Sequence, residues 1–255
     1  MSAALFDLSG RTALITGSTR GIGKALARGL GAAGARVMIS ARDREQTSAV
    51  AASLRDEGIL AHDCPFDVTD TEQVVRAVAT CEAGFGPIDI LVNNAGIQRR
   101  GPLLDLDPAD WRAVMSTNLD AVFAVSREVA RAMIPRGRGK IISIASLMSE
   151  VARPGTAPYA AAKGGVKMLT RAMCVEWAVH GLQVNAIGPG YFATELTAAL
   201  VADPAFDAWI RGRTPAGRWG RVEDLVGAAV FLASGASDFV NGQTLYVDGG
   251  VLAGL

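Results

Sequence analysis

Ser146, Tyr159 and Lys163, with Asn118 upstream, are the residue types of an acid–base unit. Tyr159 and Lys163 are four apart, so a helix would set both on one face. A free phenol titrates near ~10, too high for a good base at neutral pH, and a neighbouring ammonium favours the phenolate. Making the phenolate usable asks ~3–4 kcal/mol of the local field, reasonable for a partly desolvated site. Ser146 would hydrogen-bond a substrate oxygen and hold it against Tyr159. Asn118 would anchor a water linking Lys163 to solvent. Each residue alone also has an ordinary packing or surface reading; the chemical reading rests on their convergence.

A second group reads as a nucleotide cradle. Gly17, Ser18, Thr19, Arg20, Gly21, Ile22 and Gly23 lie between an apolar run (11–16) and an amphipathic stretch (22–33). Gly17 permits the tight turn, Gly21 lets backbone approach a pyrophosphate, and Gly23 lets the helix pack close. The helix N-terminus adds amide donors and partial positive charge. The rival phosphate loop, GxxxxGK[ST], fails twice: Ser18 stands where its first glycine would be, and Ala25 where the magnesium-binding hydroxyl would be. That disfavours a kinase or NTPase. After the second strand, Ala41 occupies the place where an acid would bind the ribose 2′-hydroxyl of NAD, and Arg42 follows. Arg42 and Arg20 suit a 2′-phosphate, so NADP is the expected cofactor. Asp43 would oppose that reading if the register shifted by one.

Other elements must bring these two groups together. Strands are expected at 11–16, 36–40, near Phe66-Asp67-Val68, 89–92, 140–145, 182–187 and 244–247. Helices are expected at 22–33, 45–57, 69–84, 108–134, 157–179 and 222–233. Near-continuously apolar strands alternating with amphipathic helices imply parallel pairing with helices on both faces. The expectation is an α/β fold: one doubly wound (Rossmann) domain over residues 1–255, with about seven parallel strands. Segment 191–219 breaks the alternation and carries two Pro and two Trp, as a substrate lid would.

Composition narrows the class. The chain has 255 residues, 50% of them hydrophobic, enough for one large core. Lys and Arg number 25 and so do Asp and Glu, so no basic field draws nucleic acid. Three scattered cysteines give neither a disulfide framework nor thiolate metal spacing, and fit a reducing cytoplasm. No apolar run is long enough to span a bilayer, and Asp7 with no basic leader argues against a signal peptide.

The motifs TGSTRGIG (16–23), Asp67-Val68, NNAG (93–96), Asn118, Ser146, YAAAK (159–163) and Pro189-Gly190 with Thr194 resemble the short-chain dehydrogenase/reductase family over nearly the whole chain. The resemblance implies that Asp67 and Val68 meet adenine and that Asn94, Ala95 and Gly96 line the cofactor. It implies that Lys163 also binds the nicotinamide ribose, and that 187–194, with Pro189, Gly190 and Thr194, lie by the nicotinamide. Tyr159 would give or take the proton while hydride moves. Metal is not expected, since the family works without it and His62 and His180 are too few and too separated. A homotetramer is implied, with 245–250 at one interface.

NNAGIQRRGPL (93–103), SLMSEVARPG (146–155), IGPGYFATEL (187–196) and RTPAGRWG (213–220), with FVNGQTLYVDGG (239–250), resemble the branch of that family that reversibly reduces 5-dehydro-D-gluconate to D-gluconate with NADP. A sugar acid is anionic. Arg99, Arg100 and Arg153 are therefore candidates for its carboxylate, and Glu150 and Ser149 for its hydroxyls. The alternatives are a 3-oxoacyl-thioester reductase, another polyol dehydrogenase, or a non-catalytic NADP-binding sensor.

Overall fold

The computed structural model describes residues 2–254. Seven strands form one all-parallel sheet: β1 (Thr12–Thr16), β2 (Arg36–Ser40), β3 (Ala61–Asp63), β4 (Ile90–Asn93), β5 (Gly139–Ile144), β6 (Leu182–Pro189) and β7 (Thr244–Val247). Their order is β3-β2-β1-β4-β5-β6-β7. The chain runs outward from β1 to β3, then returns to lay β4 beside β1. This is the topological switch point at which such sheets open a crevice at the carboxyl ends of their strands.

Strand pleating sends alternate residues to opposite faces. Ala13, Ile15, Val37 and Ile39 join one core, with helices Gly21–Ala32, Arg44–Asp56 and Val226–Ala233. Leu14, Met38, Leu91 and Ile141 join the other, with helices Thr71–Phe85, Ala121–Met133 and Ala157–Trp177. The inner strands β1, β2, β4 and β5 are buried on both faces, as expected, whereas the edge strands β3 and β7 are partly exposed.

Two elements differ from the sequence expectation. The third strand ends at Asp63, not near Phe66–Val68. Cys64 and Phe66 still donate to β2-side carbonyls (Ile39 O, 2.8 Å; Ala41 O, 3.1 Å), but Pro65 between them has no N–H to give. The expected helix over 108–134 is broken in the middle by a turn of π-helix, Ser116–Asp120, between Pro108–Met115 and Ala121–Met133. Asn118 sits in that turn, and π turns re-aim side chains at functional positions.

Segment 191–219 leaves the sheet and returns to it. Its ends are pinned by Gly220 N to Tyr191 O (2.8 Å) and Ala193 N to Gly220 O (3.1 Å). It carries helices Ala198–Val201 and Pro204–Arg213. No helix among the described residues is long and apolar enough to cross a membrane.

Candidate active site

The glycine loop leaves β1 and is held by its neighbours. A Cβ at Gly17 (φ 63°) would lie 2.8 Å from Ala95 Cα; one at Gly23 would lie 2.4 Å from both Asn94 Nδ2 and Gly17 O. Both positions therefore admit only glycine. Asn94 Nδ2 donates to the carbonyls of Thr16 and Gly17, each at 2.9 Å, and Thr16 Oγ1 accepts from the Asn94 and Ala95 amides at 3.0 and 3.1 Å. The NNAG turn after β4 thus braces the loop after β1, across the switch point. Ser18, expected to face the cofactor, is fully buried. Its hydroxyl donates to Ile15 O (2.7 Å) and accepts from Ser40 N (2.9 Å), so it staples the loop to β2.

Arg20 and Arg42 are exposed at the two carboxyl ends of β1 and β2, and neither has an ion-pair partner among the described residues. Asp43 is turned away from that role. Its carboxylate caps helix Arg44–Asp56, accepting from the Gln46 amide and Gln46 Nε2, both at 3.0 Å. Asp67 is half-buried, with Oδ1 taken by Thr69 N (2.9 Å) and Oγ1 (2.7 Å). Val68 packs against the core that holds Leu14 and Met38.

The acid–base candidates gather beside this cradle. Ser146 follows β5, buried, and caps a short 3-10 turn by accepting from Met148 N at 3.1 Å. Tyr159 lies half-buried in the first turn of helix Ala157–Trp177, and Lys163 one turn later is 96% buried, that is 4% exposed. Lys163 Nζ donates to Ile144 O at 2.5 Å and lies 5.6 Å from the Tyr159 ring centre. Asn118 is fully buried, its Oδ1 accepting from Ile97 N (2.8 Å) and its Nδ2 donating to Ile97 O (2.9 Å). Its amide therefore clamps the strand of chain that leaves the NNAG turn.

The electrostatics correct one expectation. Lys163 was expected to bring the Tyr159 phenol down. Instead burial pushes the phenol up, opposed by the Ser146 hydroxyl and the Arg100 guanidinium. Lys163 is itself desolvated, which lowers its amine to about 8. Its ammonium is turned onto the Ile144 carbonyl. At neutral pH the phenol is therefore held in its acid form, next to an amine that titrates within reach of physiological pH.

The three arginine candidates separate. Arg99 pairs with Asp110 at 3.2 Å on the exposed rim. Arg100 and Arg153 have no carboxylate partner among the described residues. They oppose each other's charge, and both act on Tyr191; Arg100 also acts on Tyr159. The Arg153 guanidinium lies 4.6 Å over the Phe206 ring, and its Nε is buried with no acceptor. Phe206, Tyr191, Trp209 and Trp219 pack edge-on or tilted, with ring centres 5.3–6.2 Å apart, and Trp219 Nε1 donates to Asp207 Oδ1 at 2.7 Å. Sequence reasoning did not single out this aromatic wall; its Trp and Pro content was the available signal. Glu150, expected on sugar hydroxyls, is instead bonded to Lys167 and Tyr246, and Ser149 to the Lys163 carbonyl.

On the other side, Thr194 opens a turn closed by Thr197 (Thr194 N to Oγ1, 3.0 Å). A cavity of about 630 Å³ runs from Gly21 between Lys24, Thr194, Ala198 and Val222. Gly190 admits no side chain, since a Cβ would lie 2.7 Å from Asp248 Cα. Pro189 ends β6 beside it.

Comparison with known proteins agrees with this architecture. Residues 17–252 match the family model described as enoyl-(acyl carrier protein) reductase, a short-chain dehydrogenase/reductase model. The chain is 57% identical over 251 residues to the gluconate 5-dehydrogenase of Gluconobacter oxydans 621H, covering 98% of each. It is 54% identical over 248 residues to the 5-keto-D-gluconate 5-reductase of Escherichia coli K12, covering 97% of this chain and 98% of that one. The solved structure of a gluconate 5-dehydrogenase from Burkholderia cenocepacia J2315, in complex with NADP and tartrate, is 58% identical, superposes with a TM-score of 0.98 and covers 100% of both chains. With the family model spanning nearly its full length, this chain belongs to the short-chain dehydrogenase/reductase family.

Proposed function

We propose that the chain is an NADP-dependent oxidoreductase that reversibly reduces 5-dehydro-D-gluconate to D-gluconate. One observation carries the substrate class: Arg100 and Arg153 stand beside Tyr159 and Tyr191 with no acidic partner, one of them with a buried, unmatched donor. Two uncompensated guanidinium groups next to a phenol suit a carboxylate carried by the substrate. The relatives' activities on gluconate and its 5-keto form supply the rest of the reading.

The cradle suits a dinucleotide. Gly17 and Gly23 have no space for side chains, and Gly21 (φ 51°) bares the backbone at the start of helix Gly21–Ala32. Gly17, Thr19, Arg20, Gly21, Ile22 and Gly23 would hold the phosphates, with Ser18 bracing the loop from within. Arg42 and Arg20 would hold the 2′-phosphate, and Asp67 and Val68 the adenine. Asn94, Ala95 and Gly96 would line the cleft, and Pro189, Gly190 and Thr194 would flank the nicotinamide. When bound, NADPH supplies a hydride and NADP⁺ accepts one.

The remaining chemistry belongs to the chain. In reduction, Tyr159 gives its phenolic proton to the substrate oxygen, which Ser146 holds in place. Burial helps this step, because it keeps the phenol protonated at neutral pH. Lys163, its ammonium held on the Ile144 carbonyl, would bind the ribose. Asn118 keeps the NNAG exit strand fixed beneath them. In oxidation the phenolate takes the proton back, so that direction is favoured by alkaline pH. Segment 191–219 acts as the substrate lid, its aromatic wall backing Arg153. The exposed apolar side chains Leu104, Val175, Val179 and Phe239 favour assembly into a homotetramer, and three free cysteines, with Cys64 and Cys81 in contact yet unbridged, a reducing cytoplasmic setting.

The test is NADPH oxidation with 5-dehydrogluconate beside an acetoacetyl thioester. Turnover of the sugar acid, with little of the thioester, supports the reading. Turnover of the thioester alone would replace it with an acyl reductase.

A further inference from the structure

Behind the serine lies a bridge of side chains bonded to one another within the fold. Ser146 opens the turn Leu147–Ser149. At the far end of that turn, Ser149 Oγ donates to the Lys163 carbonyl at 2.8 Å. Glu150 then takes two donors at once: the Lys167 ammonium, one turn beyond Lys163 on the same helix, and the Tyr246 hydroxyl from β7. Tyr246 reaches it only because Gly188 on the intervening β6 is bare; a Cβ there would lie 2.3 Å from the Tyr246 ring. The loop that carries Ser146 is therefore fastened to the Tyr159–Lys163 helix on one side and, across β6, to β7 on the other. Lys167 and Tyr246 hold the Glu150 carboxyl below the usual carboxylate range, so the bridge stays ionised through the neutral range.

We infer that Glu150, Lys167 and Tyr246 are positioning residues, which set the place of the Ser146 hydroxyl relative to Tyr159. This rests on the proposed acid–base function. The argument is geometric. Ser146 has only a short turn behind it: its hydroxyl accepts from Met148 N, and its carbonyl accepts from Ser149 N at 2.9 Å. Without the bridge, the Ser149 bond is the one side-chain hydrogen bond that ties the turn to the catalytic helix among the described residues. A shift on the order of 1 Å at a reacting group costs about 100-fold in rate, so a partial loosening has a measurable effect.

Tyr246→Phe tests this with the least disturbance, since the ring stays over Gly188 and only the hydroxyl is lost. Glu150→Gln is the companion, and both are made alone and on a Ser146→Ala background. The expected result for each single variant is a fall in kcat of about 10-fold, with KM for NADPH within about 2-fold. On the Ser146→Ala background the same change alters kcat less than about 2-fold, because the group it positions is already gone. In the oxidation direction, the rise of kcat with pH moves to higher pH in Tyr246→Phe, since the Ser146 hydroxyl it positions opposes the effect of burial at the phenol, ahead of Arg100. Equal losses on both backgrounds, an unmoved pH limb, unchanged kcat in both single variants, or a raised sugar-acid KM at unchanged kcat would each overturn the inference. Loss of the underlying acid–base reading would look different: Tyr159→Phe would then retain turnover.

Discussion

Replacing Lys163 by Met should change how stability depends on pH, in a direction set by burial. The Lys163 amine falls from 10.5 to about 8 because the side chain is desolvated, being 4% exposed. In the unfolded chain it returns to its ordinary value. Below about 8 both states carry the proton, and the full cost of burying the ammonium, about 3 kcal/mol, is present. Between about 8 and 10.5 the unfolded chain binds more protons than the folded one, so stability rises with pH. Between pH 7 and pH 9 that rise is about 1.3 kcal/mol. Lys163→Met cannot titrate and lacks it. Unfolding by urea at pH 7 and pH 9, at one protomer concentration and without cofactor, reads the difference directly. The wild type should gain about 1.3 kcal/mol relative to the variant as pH is raised. A gap that stays constant within about 0.3 kcal/mol would show that the amine is not depressed, and the desolvation argument would fail with it.

Arg42→Ala should weaken NADPH binding by about 10–100-fold while changing NADH binding less than about 3-fold, since only the 2′-phosphate loses a charge-assisted bond; fluorescence titration with both cofactors checks it, and equal losses would contradict it. Arg153→Ala should lower kcat/KM for the sugar acid by about 10–100-fold, whereas Arg99→Ala, whose partner is Asp110 at 3.2 Å on the rim, should change it less than about 3-fold. Steady-state kinetics on the two variants separates them. Gly23→Ala would set a methyl 2.4 Å from Asn94 Nδ2 and Gly17 O, so it should cost about 1–3 kcal/mol of stability and displace the NNAG brace. A thermal melt with and without NADPH should show a lowered Tm and a diminished cofactor-induced rise.

Much of this architecture is visible in the residues because the strands are short, apolar and bounded by glycine or proline. Strands β2 and β7 coincide with the runs RVMIS and TLYV. The glycine loop, NNAG turn and YAAAK segment fall where β1, β4 and the helix after β5 must meet. What escaped the sequence depends on tertiary partners. Nothing local in Ser116–Asp120 signals a π turn; it is needed to aim Asn118 at the Ile97 backbone. Asp43 is no rival for the ribose, because its carboxylate caps its own helix. Ser18 and Glu150 carry groups that ligands favour, yet their hydrogen bonds are already used inside the fold. Arg99 and Arg100 are adjacent and chemically equal, and only their tertiary neighbours, Asp110 for the one and Tyr159 with Tyr191 for the other, distinguish them. The expected influence of Lys163 on Tyr159 failed for a related reason, because helical spacing fixes a shared face but not where an ammonium finds its acceptor.

The decisive measurement compares wild type with Tyr159→Phe in two assays run side by side: NADPH binding by fluorescence, and single-turnover reduction of 5-dehydro-D-gluconate at pH 7. The Phe variant should bind NADPH within about 3-fold of the wild type and reduce the sugar acid at least about 1,000-fold more slowly. A variant that binds NADPH normally and still reduces the sugar acid at a rate near the wild type's would contradict the account.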